Sequence, residues 1–258
     1  MFDFTHKTVC IIGGAGYLGT AMSKGFLTQG ADLVVADLNP QRLQELQATL
    51  KEQFPQKDVM TVTVDAGVPA QIDSLYKRIA ERYGKLDVLV NATYANAGKS
   101  FDELTEEDFD RTNKVNISGS FGMVKRALPI MPEGSAIVQF ASMYGIVSPN
   151  PSDYPNGLQP NPIEYGVGKA AIIQMTRYLA MVCGKRNIRV NAVAPGAFPY
   201  TTLHAGNDEF IKRLSAKSML NRIGKAPEIV GAVVFLASDE ASFVTGEVLS
   251  VDGGVTAW

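Results

Sequence analysis

Residues 8–19 read TVCIIGGAGYLG, and this stretch sets the fold class. The run Thr8–Ile12 is apolar and β-prone and stops at a pair of glycines. A helical pattern follows over 18–29. Working outward, the alternation continues almost to the end of the chain. Strands are expected at 32–36 (DLVVA), 59–64, 86–90 (LDVLV), 136–140, 188–193 and 248–251, with helices opening at Pro40 and Pro69, where proline suits a first turn. Near-continuous apolar strands separated by helices imply a parallel sheet covered on both faces. Right-handed crossovers then give a doubly wound, Rossmann-like α/β fold of about seven strands. No linker, repeat or low-complexity tract divides the chain, so 1–258 reads as one domain.

Bulk composition narrows the function classes. The 258 residues are 46% hydrophobic and 19% charged, with a net charge of −2. That balance gives no electrostatic reason to bind nucleic acid or an anionic membrane. The two cysteines, Cys10 and Cys183, sit in apolar surroundings and read as buried free thiols. His6 and His204 lack metal-ligand spacing, so no metal is expected. The N-terminal MFDFTHKT lacks the long apolar stretch of a signal peptide, and a cytoplasmic location is expected.

The glycine turn, Gly13-Gly14-Ala15-Gly16-Tyr17-Leu18-Gly19, lies between a strand and a helix. Glycines let the backbone turn tightly and approach a pyrophosphate, which the helix N-terminus then attracts. Asp37 ends the second strand, about twenty residues on, where an acid accepts hydrogen bonds from an adenosine ribose and repels a 2′-phosphate. With no Arg or Lys between Asp37 and Arg42, NAD is expected over NADP. Alternatively, Asp37 caps the next helix, a role for which Asn39 competes.

Of nine tyrosines, only Tyr165 has a lysine four residues later. At that spacing the Tyr165 phenol and the Lys169 ammonium share one helix face. Moving a phenol from near 10 to near 7 takes about 4 kcal/mol, and a neighbouring cation supplies part of it. Ser142 follows the fifth strand in IVQFAS, at the carboxyl end where open sheets bind ligands; it reads as a hydroxyl for a substrate oxygen or as a cap. Asn116, in KVNISGSF, falls inside an expected long helix, where an interior amide marks a kink or faces solvent.

These residues stand in ordered motifs: GGAGYLG, VVADL, VTVDA, LDVLVNA, KVNISGSF, FASMYG, YGVGK, IRVNAVAPG and VTGEVLSVDGG. In that order the chain resembles the short-chain dehydrogenase/reductases over nearly its whole length. The resemblance implies that Asn116, Ser142, Tyr165 and Lys169 form the catalytic tetrad. Tyr165 would exchange a proton with the substrate oxygen, Ser142 would hold that oxygen, and Lys169 would bind the nicotinamide ribose. Asn116 would hold a relay water. It also implies that Gly13, Gly16, Tyr17, Leu18 and Gly19 line the pyrophosphate, Asp65 and Ala66 flank adenine, and Asn91 and Ala92 lie beside the cofactor. Pro195, Gly196 and Phe198 would meet the carboxamide side. The reaction implied is interconversion of a secondary alcohol and a ketone, in a homodimer or homotetramer.

Three departures stand out. The glycine spacing is that of the family's extended, sugar-nucleotide-modifying branch, which keeps an NAD-retaining epimerase or dehydratase as an alternative; a non-catalytic nucleotide binder is a further alternative, against which the intact set Asn116, Ser142, Tyr165 and Lys169 argues. The chain ends soon after VDGG, which favours the classical branch. The usual NNAG is Asn91-Ala92-Thr93-Tyr94, bringing Tyr94 towards cofactor or substrate. A proline-rich insertion, SPNPSDYPNGLQPNP at 148–162, is expected to wall the substrate pocket. The pocket segments 143–164 and 197–220 carry Asn150, Asp153, Tyr154, Asn156, Asn161, Glu164, Tyr200 and His204, a set suited to a sugar, sugar acid or polyol. The tail ending in Val255 and Trp258 would pack against a neighbour or over its own subunit.

Overall fold

The structure, a computed structural model, describes residues 2–155, 157–200 and 207–258. Seven strands form one parallel sheet in the order β3-β2-β1-β4-β5-β6-β7. They are β1 (Thr8–Ile12), β2 (Asp32–Asp37), β3 (Val59–Thr63), β4 (Val88–Asn91), β5 (Ala136–Phe140), β6 (Arg189–Pro195) and β7 (Val248–Val251). The expected doubly wound fold is what the chain adopts. Strand order reverses between β1 and β4, where Val9 pairs with Val88 and Ile12 with Asn91. The carboxyl ends of these two strands diverge there and open the crevice that ligands use in such sheets.

Two apolar layers explain why the interior strands carry hydrophobic residues in both directions. Val9, Ile11, Leu33, Val35, Val88 and Val90 face a layer with α1 (Tyr17–Thr28) and α8 (Pro227–Ala237). Cys10, Ile12, Val34, Leu89 and Ile137 face the other layer, with α3 (Pro69–Tyr83) and α5 (Ser120–Ala127). The alternation of side chains along each strand divides one continuous apolar run between two faces. Cys10 and Cys183 are both buried and free.

Other elements hold the site. Helix α2 (Pro40–Gln53) starts with proline in its first turn, and the Asn39 side chain accepts the Arg42 N–H as its cap. Asn39, not Asp37, therefore caps this helix. Helix α4 (Glu106–Asn113) opens with a reciprocal capping box between Thr105 and Asp108. The long helix expected around Asn116 is not continuous α-helix: residues Lys114–Gly119 form a π turn between α4 and α5. Helix α6 (Ile163–Gly184) runs 22 residues from Pro162, and α7 (Asp208–Lys217) lies beyond β6.

At the tail, Val255 is buried with Met143 and Tyr144. Trp258 is 74% exposed, so it does not fold over its own subunit.

Candidate active site

The glycine turn is built by close approach. Gly13 adopts φ +82°, and a Cβ there would meet the Ala92 carbonyl oxygen at 2.7 Å. A Cβ on Gly19 would come within 2.3 Å of the Gly13 carbonyl oxygen. Only glycine lets β1, the start of α1 and the end of β4 converge so tightly. Asp37 braces the turn: its Oδ2 accepts the Ala15 N–H at 3.0 Å and its Oδ1 accepts the Asn39 N–H at 3.1 Å. The first turn of α1 carries no side-chain cap, leaving its N-terminus turned to the cleft. That is the arrangement an anionic pyrophosphate requires.

From this turn a cleft of about 1430 Å³ runs to the catalytic candidates. Its walls include Gly13, Gly16, Tyr17, Leu18, Gly19, Asp37, Asp65, Ala66, Ala92, Ser142, Tyr165, Lys169, Pro195, Gly196 and Phe198. The volume exceeds that of a typical single-ligand pocket and fits a dinucleotide with a substrate beside it. The uncapped helix start, the glycine cradle and an acid at the end of β2 together suit a nicotinamide dinucleotide.

Ser142, Tyr165 and Lys169 converge at the far end. Ser142 caps the short 3-10 turn Met143–Gly145 by accepting the Tyr144 N–H, so the hydroxyl is fixed by the element it caps. Burial holds the Tyr165 phenol above its ordinary range; a hydrogen bond with Ser142 pulls it back, and the Tyr94 and Tyr154 phenols push it up. One helical turn on, Lys169 Nζ lies 5.8 Å from the centre of the Tyr165 ring. It donates to the carbonyl oxygens of Phe140, at 2.7 Å, and Thr93, at 3.2 Å. Burial pushes its ammonium down to about 7.

Asn116 and Asn91 stand behind this wall. Asn116 is buried in the π turn, where its Oδ1 accepts the Ala95 N–H and its Nδ2 donates to the Ala95 carbonyl. Its own carbonyl accepts the Ser120 hydroxyl at 2.8 Å. Asn91 is 2% exposed and lies beneath the cleft floor, donating to Ser120 Oγ and Gln139 Oε1 and accepting from Thr93. Both amides therefore tie the segment after β4 to its neighbours.

The altered turn after β4 places Tyr94 edge-on to Tyr165, with ring centres 6.2 Å apart. Tyr17 in turn meets Tyr200 edge-on at 5.1 Å, linking the glycine turn to the segment after β6.

The polar residues of the pocket segments separate into several groups. Asn161 and Tyr200 line the cleft. Asn150 instead caps a local turn at Ser152, and Asp153 pairs with Lys217. Glu164 is fully buried and accepts the Ala97 N–H at 2.9 Å. Asn156 and His204 lie outside the described residues. The Thr93 carbonyl was not legible as a site feature, because a backbone acceptor carries no residue signature; Glu164, expected among the polar pocket residues, instead anchors the segment after β4 from the first turn of α6. Among the described residues no group of His, Cys, Asp and Glu could hold a metal ion, and no helix is long and apolar enough to cross a membrane.

A family model described as Enoyl-(Acyl carrier protein) reductase matches residues 14–256. The 3-oxoacyl-(acyl-carrier-protein) reductase of Thermotoga maritima is 34% identical, covering 96% of this chain and 97% of its own. The 3alpha-hydroxysteroid dehydrogenase of Mediterraneibacter gnavus is 32% identical, covering 96% of both. The chain belongs to the short-chain dehydrogenase/reductase family. It is an oxidoreductase of the kind that acts on CH–OH groups with NAD(P). A crystal structure from Brucella melitensis described as Short-chain dehydrogenase/reductase SDR:Glucose/ribitol dehydrogenase superposes with a TM-score of 0.85 at 32% identity, covering 98% of both chains.

Proposed function

We propose that the protein is an NAD-dependent dehydrogenase that interconverts a polar secondary alcohol, of the sugar, sugar acid or polyol class, with its ketone. The observation that carries this reading is the convergence of Ser142, Tyr165 and Lys169 at one end of the cleft whose other end is the glycine turn and Asp37. When bound, the nicotinamide accepts the hydride released as the carbinol becomes a carbonyl.

The chain's own residues do the rest. Ser142 holds the substrate oxygen. Tyr165 receives its proton during oxidation and returns it during reduction. Lys169 binds the nicotinamide ribose and, when charged, favours the Tyr165 phenolate across the 5.8 Å separation. Asn116 positions the segment after β4 and holds the relay water. Asp37 selects NAD, since its carboxylate suits two ribose hydroxyls and repels a phosphate.

Polar substrate selection draws support from Asn96, Asn161 and Tyr94 on the cleft wall. The glucose/ribitol description of the Brucella melitensis structure points the same way. Two buried free thiols fit a reducing cytoplasm. Exposed Phe121, Tyr178 and Met181 on α5 and α6 support a homodimer or homotetramer.

A panel of polyols, sugar acids and simple secondary alcohols with NAD and NADP, followed at the NADH absorbance band, tests the assignment. Tyr165→Phe is expected to lower kcat by about 10²–10⁴-fold while the NAD Kd stays within a factor of two or so. Unchanged turnover in that variant rejects the proposed proton donor.

A further inference from the structure

The proline-rich insertion carries a polar assembly that the tetrad does not use. Tyr144 follows Ser142 in the 3-10 turn, and its buried ring packs in the same cluster as Tyr165. Its hydroxyl lies 2.8 Å from that of Tyr154, and Asn161 Nδ2 donates to the Tyr154 hydroxyl at 3.4 Å. Asn161 itself lines the cleft alongside Tyr165 and Ser142.

The assembly is held in place from outside. The Tyr154 ring stacks at a tilt on Phe210 of α7, with centres 5.6 Å apart. On either side, Arg213 of the same helix donates to the Ser152 carbonyl at 2.8 Å and Lys217 pairs with Asp153. These contacts pin the insertion to α7 and remove freedom that a substrate-binding group would otherwise lose on binding.

Tyr144 and Tyr154 bring two phenolic protons, and only one can lie between their oxygens. The Asn161 bond fills an acceptor position on Tyr154 and uses no phenolic proton. Whichever tyrosine donates, one O–H is left without an acceptor among the described residues. Asn161 also keeps its carbonyl oxygen and a second N–H. Tyr144 is held neutral by burial and by its bond to Tyr154, so the phenol remains a donor.

We infer that Tyr144, Tyr154 and Asn161 form a second polar subsite that takes another oxygen of the substrate, one or two carbons from the reacting carbinol. The substrate class is then a diol or polyol in oxidation and a hydroxyketone in reduction. This inference rests on the dehydrogenase reading above and narrows it: a site built to pair with an oxygen discriminates against a substrate that lacks one, because its own polar groups are left unpaired.

The test uses the whole protein with NAD and three matched alcohols: cyclohexanol, 1,2-cyclohexanediol and 1,3-cyclohexanediol. The wild type is expected to prefer at least one diol over cyclohexanol in kcat/KM. Tyr154→Phe keeps the ring on Phe210 and removes only the hydroxyl. It is expected to cut that preference about tenfold, chiefly through KM. Asn161→Leu should cut it similarly. An undiminished preference in both variants, an equal loss on all three alcohols, or no preference in the wild type overturns the subsite while leaving the dehydrogenase assignment standing. No NADH from any alcohol overturns both.

Discussion

At the scale of single residues, burial works against the pair that the sequence singles out. Removal from water favours the neutral form of each group, so Tyr165 is pushed up and Lys169 down, to about 7. The Lys169 shift has a definite sign for stability. Between pH 7 and about 10.5 the unfolded chain holds a proton on this lysine that the folded chain lacks. Stability of the cofactor-free protein should therefore gain from Lys169 as pH rises through that window, and the penalty for burying its charge should be complete below it. Urea unfolding of wild type and Lys169→Met from pH 7.5 to 9.5 is expected to show a shallower rise in the variant; parallel curves would contradict the buried, shifted lysine. Asp37 braces the Ala15 amide, and in the proposed reading it also screens the cofactor. Asp37→Ala is expected to weaken both NAD and NADP, and to narrow the ratio of their Kd values by about tenfold or more, because only the repulsion of the 2′-phosphate distinguishes them. Titration of both cofactors reads that ratio.

At the scale of elements, the π turn Lys114–Gly119 and helix α6 depend on one another. A π turn inserts a residue into helical geometry and redirects side chains and carbonyls, and such turns are frequent at functional sites. Here it turns the Asn116 amide onto both backbone groups of Ala95. Gly168 allows α6 to come this close: a Cβ there would lie 2.9 Å from the Asn116 Cβ and 3.0 Å from Asn113 Oδ1. Gly168→Ala is expected to cost about 1–3 kcal/mol in urea unfolding, since the Asn113 amide can swing aside but the Asn116 Cβ is fixed by the backbone of the π turn. It should also lower kcat, because the displaced amide anchors the segment that offers the Thr93 carbonyl to Lys169. A variant of wild-type stability would show that the two elements can move apart freely.

At the scale of the whole molecule, Phe121 on α5 and Tyr178, Met181 and Val182 on α6 are all more than two-fifths exposed, and in the proposed oligomer these side chains would be covered by a second copy. We expect a concentration-dependent oligomer on light scattering. Phe121→Glu combined with Met181→Glu is expected to shift it towards monomer, because a charge desolvated in an apolar interface has no compensating partner. A monomeric wild type at high concentration would refute this surface as an interface.

The sequence by itself determined the sheet, the glycine turn, Asp37 and the ordered set Ser142, Tyr165 and Lys169. Strands buried on both faces need near-continuous apolar runs, glycine alone fits where backbones nearly touch, and i, i+4 spacing puts the phenol and ammonium on one face. All of these are local constraints, so they leave a local trace. Strand ends were less legible: β4 begins at Val88 rather than 86 and β6 extends to Pro195, because pairing with neighbours decides where a ladder stops. Tertiary structure alone decided the π turn at Asn116, the placement of Asn91 beneath the floor, the burial of Glu164 and the union of Tyr144, Tyr154 and Asn161. Each depends on a hydrogen-bond partner supplied by another segment, a backbone amide, a carbonyl or a phenol, whose position no residue type announces. The pairing of Tyr165 with Lys169 was therefore written in the sequence, whereas the union of Tyr144, Tyr154 and Asn161 was set only when the insertion docked on α7.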